Sequence, residues 1–173
     1  IGCDQDENFS QIEIKKKIGV DPKCGGTHRM TSDKFFENNE EKFDIIFLDG
    51  LHTYEQTIKD INNSIKSVTN DGLIMIHDCL PKKIWNQVVP RLYGHWNGDV
   101  WKAIVEVRTY SHVDTLTCTA DHGLGIILKR KNSKILENKK KDFKKLKFSD
   151  YYNNHKNFMN PMSFEEIKKI LKI

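Results

Sequence analysis

Residues 43–78 read FDIIFLDGLHTYEQTIKDINNSIKSVTNDGLIMIHD, and this stretch decides the fold. The apolar run Phe43-Asp44-Ile45-Ile46-Phe47-Leu48 is closed by Asp49-Gly50. A second run, Leu73-Ile74-Met75-Ile76, is closed by His77-Asp78. Between them Tyr54, Ile58, Ile61, Ile65 and Val68 recur at the three-to-four-residue spacing of one helical face. A hydrophobic strand buried on both faces, an amphipathic helix and another such strand make a parallel βαβ unit. Both strands end in ionisable residues, so Asp49, His52, His77 and Asp78 are expected at the carboxyl edge of the sheet. Open α/β sheets bind their ligands there.

Upstream, Ile1-Gly2-Cys3 reads as the tail of a first strand, most of which is expected to lie before Ile1. A loop follows at 4–8, then a short helix near 9–14. Lys17 to Pro22 reads as a second strand with Asp21 at its tip, and Thr27 to Thr31 as a short third. Ser32-Asp33 should cap a helical piece over 34–38. Downstream, Pro81 opens a loop rich in large residues, among them Trp85, Tyr93, His95, Trp96 and Trp101. Asp99 should cap a helix on which Val100, Ala103, Ile104 and Val107 share a face. The β-rich runs 114–119 and 123–129 are joined by so short a link that they must pair antiparallel. The order is that of a doubly wound α/β sheet ending in an antiparallel hairpin. Residues 1–130 form the expected domain, and 131–173 a lysine-rich extension. The extension ends in a short helix announced by the capping-box pattern Ser163-Phe164-Glu165-Glu166.

Composition narrows the class. Of 173 residues, 38% are hydrophobic and 30% charged, as in a globular domain, and no apolar run approaches a membrane span. Four scattered cysteines without a CxxC pair point to reduced thiols and a cytoplasmic setting. The net charge of +4 is concentrated in lysines between Lys129 and Lys147. That run lacks interleaved aromatic residues, so it reads as a solvated, non-catalytic arm rather than a nucleic-acid surface.

Asp21 lies 19 positions after Gly2, the spacing at which α/β nucleotide sites hold ribose hydroxyls. The alternative is an aspartate that merely ends a strand before Pro22. Gly-x-Gly-x-x-Gly is absent, and Asp4, Asp6 and Glu7 would repel a phosphate. A nucleoside cofactor without phosphates fits better, and the cationic sulfonium of S-adenosylmethionine favours an acidic neighbourhood.

The strings IGVDP, TSDKFF, FDIIFLDGLHTYEQTIKDI, GLIMIHDCLP, GDVWKAIVEVR and DHGLGII resemble a class I S-adenosylmethionine-dependent methyltransferase. They are most similar to bacterial methyltransferase-domain families that act on small-molecule and sugar hydroxyls. The resemblance covers 1 to about 129, and its most specific parts are DGLHTYE and HDC. It implies a Rossmann-like sheet of order 3-2-1-4-5-7-6 with strand 7 antiparallel. It implies cofactor contacts from Gly2 under the methionine part, Asp21 at the ribose, Asp33 beside the adenine and Asp49 next to the sulfonium. Relatives of this kind place carboxylates after the fourth and fifth strands to bind Mg²⁺, here Asp49 and Asp78. His77 stands where one carboxylate is expected. Asp49, His52 and His77 are the catalytic candidates, with either histidine as general base where no metal is bound. The partner implied is a small-molecule methyl acceptor. Two other readings stay open: an NAD-dependent oxidoreductase, and a nucleoside-binding or scaffold domain without activity.

Overall fold

In the computed structural model, which describes all residues except 5, 7 and 139–141, helix α1 (Ser32–Asn38) precedes the central unit. Strand β1 (Phe43–Leu48), helix α2 (Tyr54–Ser67) and strand β2 (Val68–Ile76) follow as a parallel βαβ unit. Ile45, Ile46, Phe47 and Leu48 face Leu73, Ile74, Met75 and Ile76 in register. Helix α3 (Trp101–Val107) leads into an antiparallel hairpin of β3 (Asp114–Cys118) and β4 (Leu124–Leu128). Beyond it come α4 (Phe148–Met159), the two-residue strand β5 (Pro161–Met162) and α5 (Phe164–Leu171).

The mixed sheet has five strands in the order β1-β2-β4-β3-β5, not the expected seven in the order 3-2-1-4-5-7-6. The expected neighbours hold for the four shared strands: β1 pairs with β2, β2 with β4 and β4 with β3. The first three expected strands are reduced to a few hydrogen bonds and one isolated bridge. Asp49 N–H donates to the Ile1 carbonyl, Gly2 N–H to Val20, and Val20 bridges to His28. Two residues at the start, and Gly19, Pro22, Gly25 and Gly26 further on, leave no run long enough for a ladder. Residues 9–14 are turns and irregular chain rather than the expected helix.

The central strands are not buried on both faces. Ile46, Leu48, Ile74, Ile76 and Ile127 point into the main core, where Ile61 of α2 and Ile104 of α3 meet them. On the other face Leu116, Cys118, Ile126 and Leu128 are covered by Ile167 of α5. Ile45 and Phe47 lie beyond this cover and are 60% and 40% exposed.

Helix ends show how the pieces are fixed. The Ser163 hydroxyl and Glu166 carboxylate cap α5 reciprocally, the capping box expected there. Thr53 makes no side-chain cap for α2; instead Asp99 accepts from Tyr54 N–H at 2.7 Å while pairing with Lys102 at 3.0 Å. Asp99 therefore caps a neighbouring helix as well as standing before α3.

The extension is not a solvated arm. Leu136, Leu146, Tyr151, Phe158 and Met159 join the main core, and β5 extends the sheet beside β3. The expected lysines 139–141 lie outside the described residues. Arg108, 1% exposed, holds this segment: its guanidinium donates to the carbonyls of Asn157, Phe158 and Lys134. The first two belong to the last turn of α4, where a cation also meets the negative end of the helix dipole. Arg108→Met should leave three carbonyls, the buried one of Phe158 among them, without this donor and lower stability by about 1–3 kcal/mol, read by urea unfolding. A loss below about 0.5 kcal/mol would show that the arginine does not pin the extension.

Candidate active site

The site forms where β1 and β2 end. Asp49 follows β1, and His77 and Asp78 follow β2. His52 sits on the loop into α2, which is tied down by Asp99 N–H donating to the His52 carbonyl. Gly98, at φ +63°, lies so close that a Cβ there would overlap this carbonyl. Gly2, at φ +82°, packs equally tightly: an added Cβ would come 2.0 Å from the Asp49 carbonyl oxygen. A side chain there would drive apart the N-terminus and the end of β1.

Asp49 is the hub. Its Oδ1 lies 3.2 Å from His52 Nε2 and 3.3 Å from His77 Nδ1. Burial works to raise its pKa, but hydrogen bonds from the two imidazoles hold the carboxyl well below the usual carboxylate range. Asp78 is buried and backbone-strained at φ +59°. Its Oδ2 lies 3.4 Å from His52 Nδ1 and 3.5 Å from His77 Nδ1, while Asn97 donates to Oδ1 at 2.8 Å. Burial raises the pKa of Asp78, with the Asp49 charge adding to the effect. Both histidines are pulled the other way by these partners. Burial opposes charge on His52, yet the Asp49 bond and the Asp78 charge raise its pKa. The Asp49 bond is the largest influence on His77, which is pushed up to about 9. Its second nitrogen bonds Asp121 at 2.9 Å.

Gly2, Asp21, Asp33, Asp49, His52, His77 and Asp78 all line one cleft of about 620 Å³. The sequence-expected residues are thus brought together, with two changes of role. Asp33 stands in the first turn of α1, not at a strand end, and accepts from Gln56 at 2.8 Å. Asp21 takes four backbone N–H groups: Cys3 and Asp4 on Oδ2, Lys23 and Cys24 on Oδ1. Burial would raise its pKa, but these bonds lower it. A carboxylate has about four lone-pair sites, so Asp21 is fully used in pinning the loop beneath the cleft.

Asn97, His95, Asp121 and His122 were not legible as site residues. His95 stacks on His122 with centroids 3.7 Å apart and lies 3.6 Å from Asp78. They come from the 81–100 loop and the β3–β4 turn, and only their position in the hairpin link, read as a plain turn, hinted at them. Of the large residues that follow Pro81, Trp96 stacks on His52 at 5.3 Å, whereas Trp101 is buried in the core. Cys79 is fully buried and its thiol pushed up by burial, so it is a structural cysteine.

Asp49, Asp78 and His52 each offer one ligand atom within 4.8 Å of the others, enough for a divalent cation. Two carboxylates and an imidazole suit Mn²⁺ or Fe²⁺ as well as Mg²⁺.

A cleft lined by carboxylates at the strand ends of an α/β sheet lies where such sheets bind their ligands. Residues 4–79 match the family model described as "Methyltransferase domain", so this stretch is similar to such a domain. The match begins in the loop after Gly2 and ends just past Asp78, so it spans nearly all of the cleft. No curated protein matches the chain.

His77 makes the site testable by pH. Its folded pKa exceeds the unfolded value of about 6.5, so its stabilisation is complete below pH 6.5 and lost as pH rises through about 9. With EDTA present, the melting temperature should fall over that window, and His77→Gln should flatten the fall. An identical pH profile in the variant would contradict the paired-imidazolium geometry.

Proposed function

We propose that the domain transfers a methyl group from S-adenosylmethionine to a hydroxyl of a small molecule, of which a sugar is one form. The observation that carries this reading is the acidic cleft uniting Asp33, Asp49 and Asp78 of the methyltransferase-matched segment with Gly2 just before it. The cleft's residues fit the cofactor: its carboxylates suit a cationic sulfonium. When bound, the cofactor supplies a methyl group on a positively charged sulfur. Asp49 would face the sulfonium, Asp33 would serve the nucleoside end, and Asp21 would act through the loop it holds.

The chain's own part is to align the acceptor and take its proton. Asp49 and Asp78 orient His52 and His77, and either imidazole in its neutral form accepts the proton. A divalent cation held by Asp49, Asp78 and His52 would supply the positive charge that lowers the hydroxyl pKa. A pKa of about 9 leaves little of His77 neutral at pH 7, whereas His52 must be neutral to serve either as base or as ligand. No helix among the described residues is long and apolar enough to cross a membrane. The four free cysteines support a cytoplasmic setting.

Calorimetry with S-adenosylhomocysteine tests this. Binding is expected, NADH should not bind, and Asp49→Asn should weaken the sulfur cofactor about tenfold, the size of one lost charged interaction. NADH binding without S-adenosylhomocysteine binding would overturn the reading. Mn²⁺ uptake, followed by the resonance of the free ion, should vanish in Asp49→Asn/Asp78→Asn; unchanged uptake would contradict the ligand set.

A further inference from the structure

A second cavity, of about 590 Å³, lies on the far side of the β3–β4 turn from the cofactor cleft. Leu80 and Pro81 form one wall, and Phe148, Tyr151 and Tyr152 of α4 form the other. Its size is that of a small-molecule site, and its walls suit a flat ring. Its charge is opposite to that of the cleft. Lys82, His122, His155 and Lys156 line it, and Asp121 is the one acidic residue in the lining. Asp121 is already engaged, since its carboxylate takes His77 Nε2 at 2.9 Å and lies 3.8 Å from His122. Neither Lys82 nor Lys156 makes an ion pair with another described residue, so the cavity keeps excess positive charge.

The two cavities meet at one residue pair. His77 lines the cofactor cleft, Asp121 lines the second cavity, and a hydrogen bond of 2.9 Å joins the two linings. We infer that this cavity is the methyl-acceptor site, and that it takes a ring-bearing small molecule with an anionic group, a carboxylate or phosphate. The inference rests on the cofactor reading of the cleft. The ring lies against Tyr151 and Tyr152, the anion meets Lys82 and Lys156, and the hydroxyl is presented towards His77. The charges are then complementary on both sides: an acidic cleft for the cationic donor and a basic cavity for the anionic acceptor. The extension supplies the aromatic wall, so α4 is a specificity element.

The test compares 4-hydroxybenzoate with its uncharged isostere 4-hydroxybenzamide by calorimetry on the full chain, with and without saturating S-adenosylhomocysteine. The benzoate should bind about tenfold or more tightly than the amide, as charge-assisted hydrogen bonds allow. Lys82→Ala/Lys156→Ala should erase the difference; both side chains are exposed, and the melting temperature checks that the variant is folded. Equal affinities for the two probes, no binding of either, or a preference that survives in the variant would overturn the assignment. The cofactor titration separates the two readings. S-adenosylhomocysteine binding without a benzoate preference removes only the acceptor site. A lysine-dependent preference without S-adenosylhomocysteine binding leaves an anion-binding cavity but removes its role as acceptor site.

Discussion

One aspartate, shared between backbone and side-chain partners, ties the functional end of this domain together. The Asp49 amide donates to the Ile1 carbonyl at 2.9 Å, and its own carbonyl leaves room only for a glycine at Gly2. Its carboxylate binds two imidazoles from different elements, His52 before α2 and His77 after β2. A single residue thus fixes the N-terminal segment to β1 and sets the spacing of the two strand ends. A negative charge so enclosed is stable only while protonated imidazoles, or a cation in their place, stay close. The same requirement that holds the fold together therefore leaves a charged, pre-oriented cluster where a ligand can reach it.

The second constraint is at the other end of the chain. A two-strand hairpin packed on one βαβ unit would leave β3 as an open edge, exposed to pairing with other chains. The extension closes that edge with β5 and covers the adjoining face with α5, while Arg108 anchors α4 by its terminal carbonyls. Replacing a hydrated guanidinium by a buried one is costly, and three carbonyl acceptors, with the Asp114 charge, offset it. Function follows from the same packing, since α4 forms one wall of the basic cavity. The open patch at Ile45 and Phe47 shows where no such cover exists.

What could be read from sequence follows the range of the interactions. Strands β1 and β2 and helix α2 declare themselves by apolar runs and helical spacing, both local properties, and the residues closing those strands necessarily fall at one edge. The first three expected strands failed because Gly19, Pro22, Gly25 and Gly26 break the pairing that their apolar residues suggest. Helix α4 escaped notice because FSDYYNNHKNFM is polar except at a few positions, and a buried arginine 40 residues earlier in the chain fixes it. Asp21 was recognised as an important carboxylate, but spacing alone could not tell that four backbone N–H groups would occupy it. Asn97 and Asp121 carry no local pattern, and only folding places them against Asp78 and His77.

The proposed function requires the edge defined by Gly2, Asp33, Asp49 and His52 to hold the nucleoside cofactor. The most direct measurement is a titration of ¹⁵N-labelled protein with S-adenosylhomocysteine, followed by the backbone amide resonances. Saturable shifts are expected at Gly2, Asp4, Asp33, Gly50 and His52, with little change along β3 and α5. Saturating cofactor that leaves these amides unmoved, or moves only those lining the basic cavity, would contradict it.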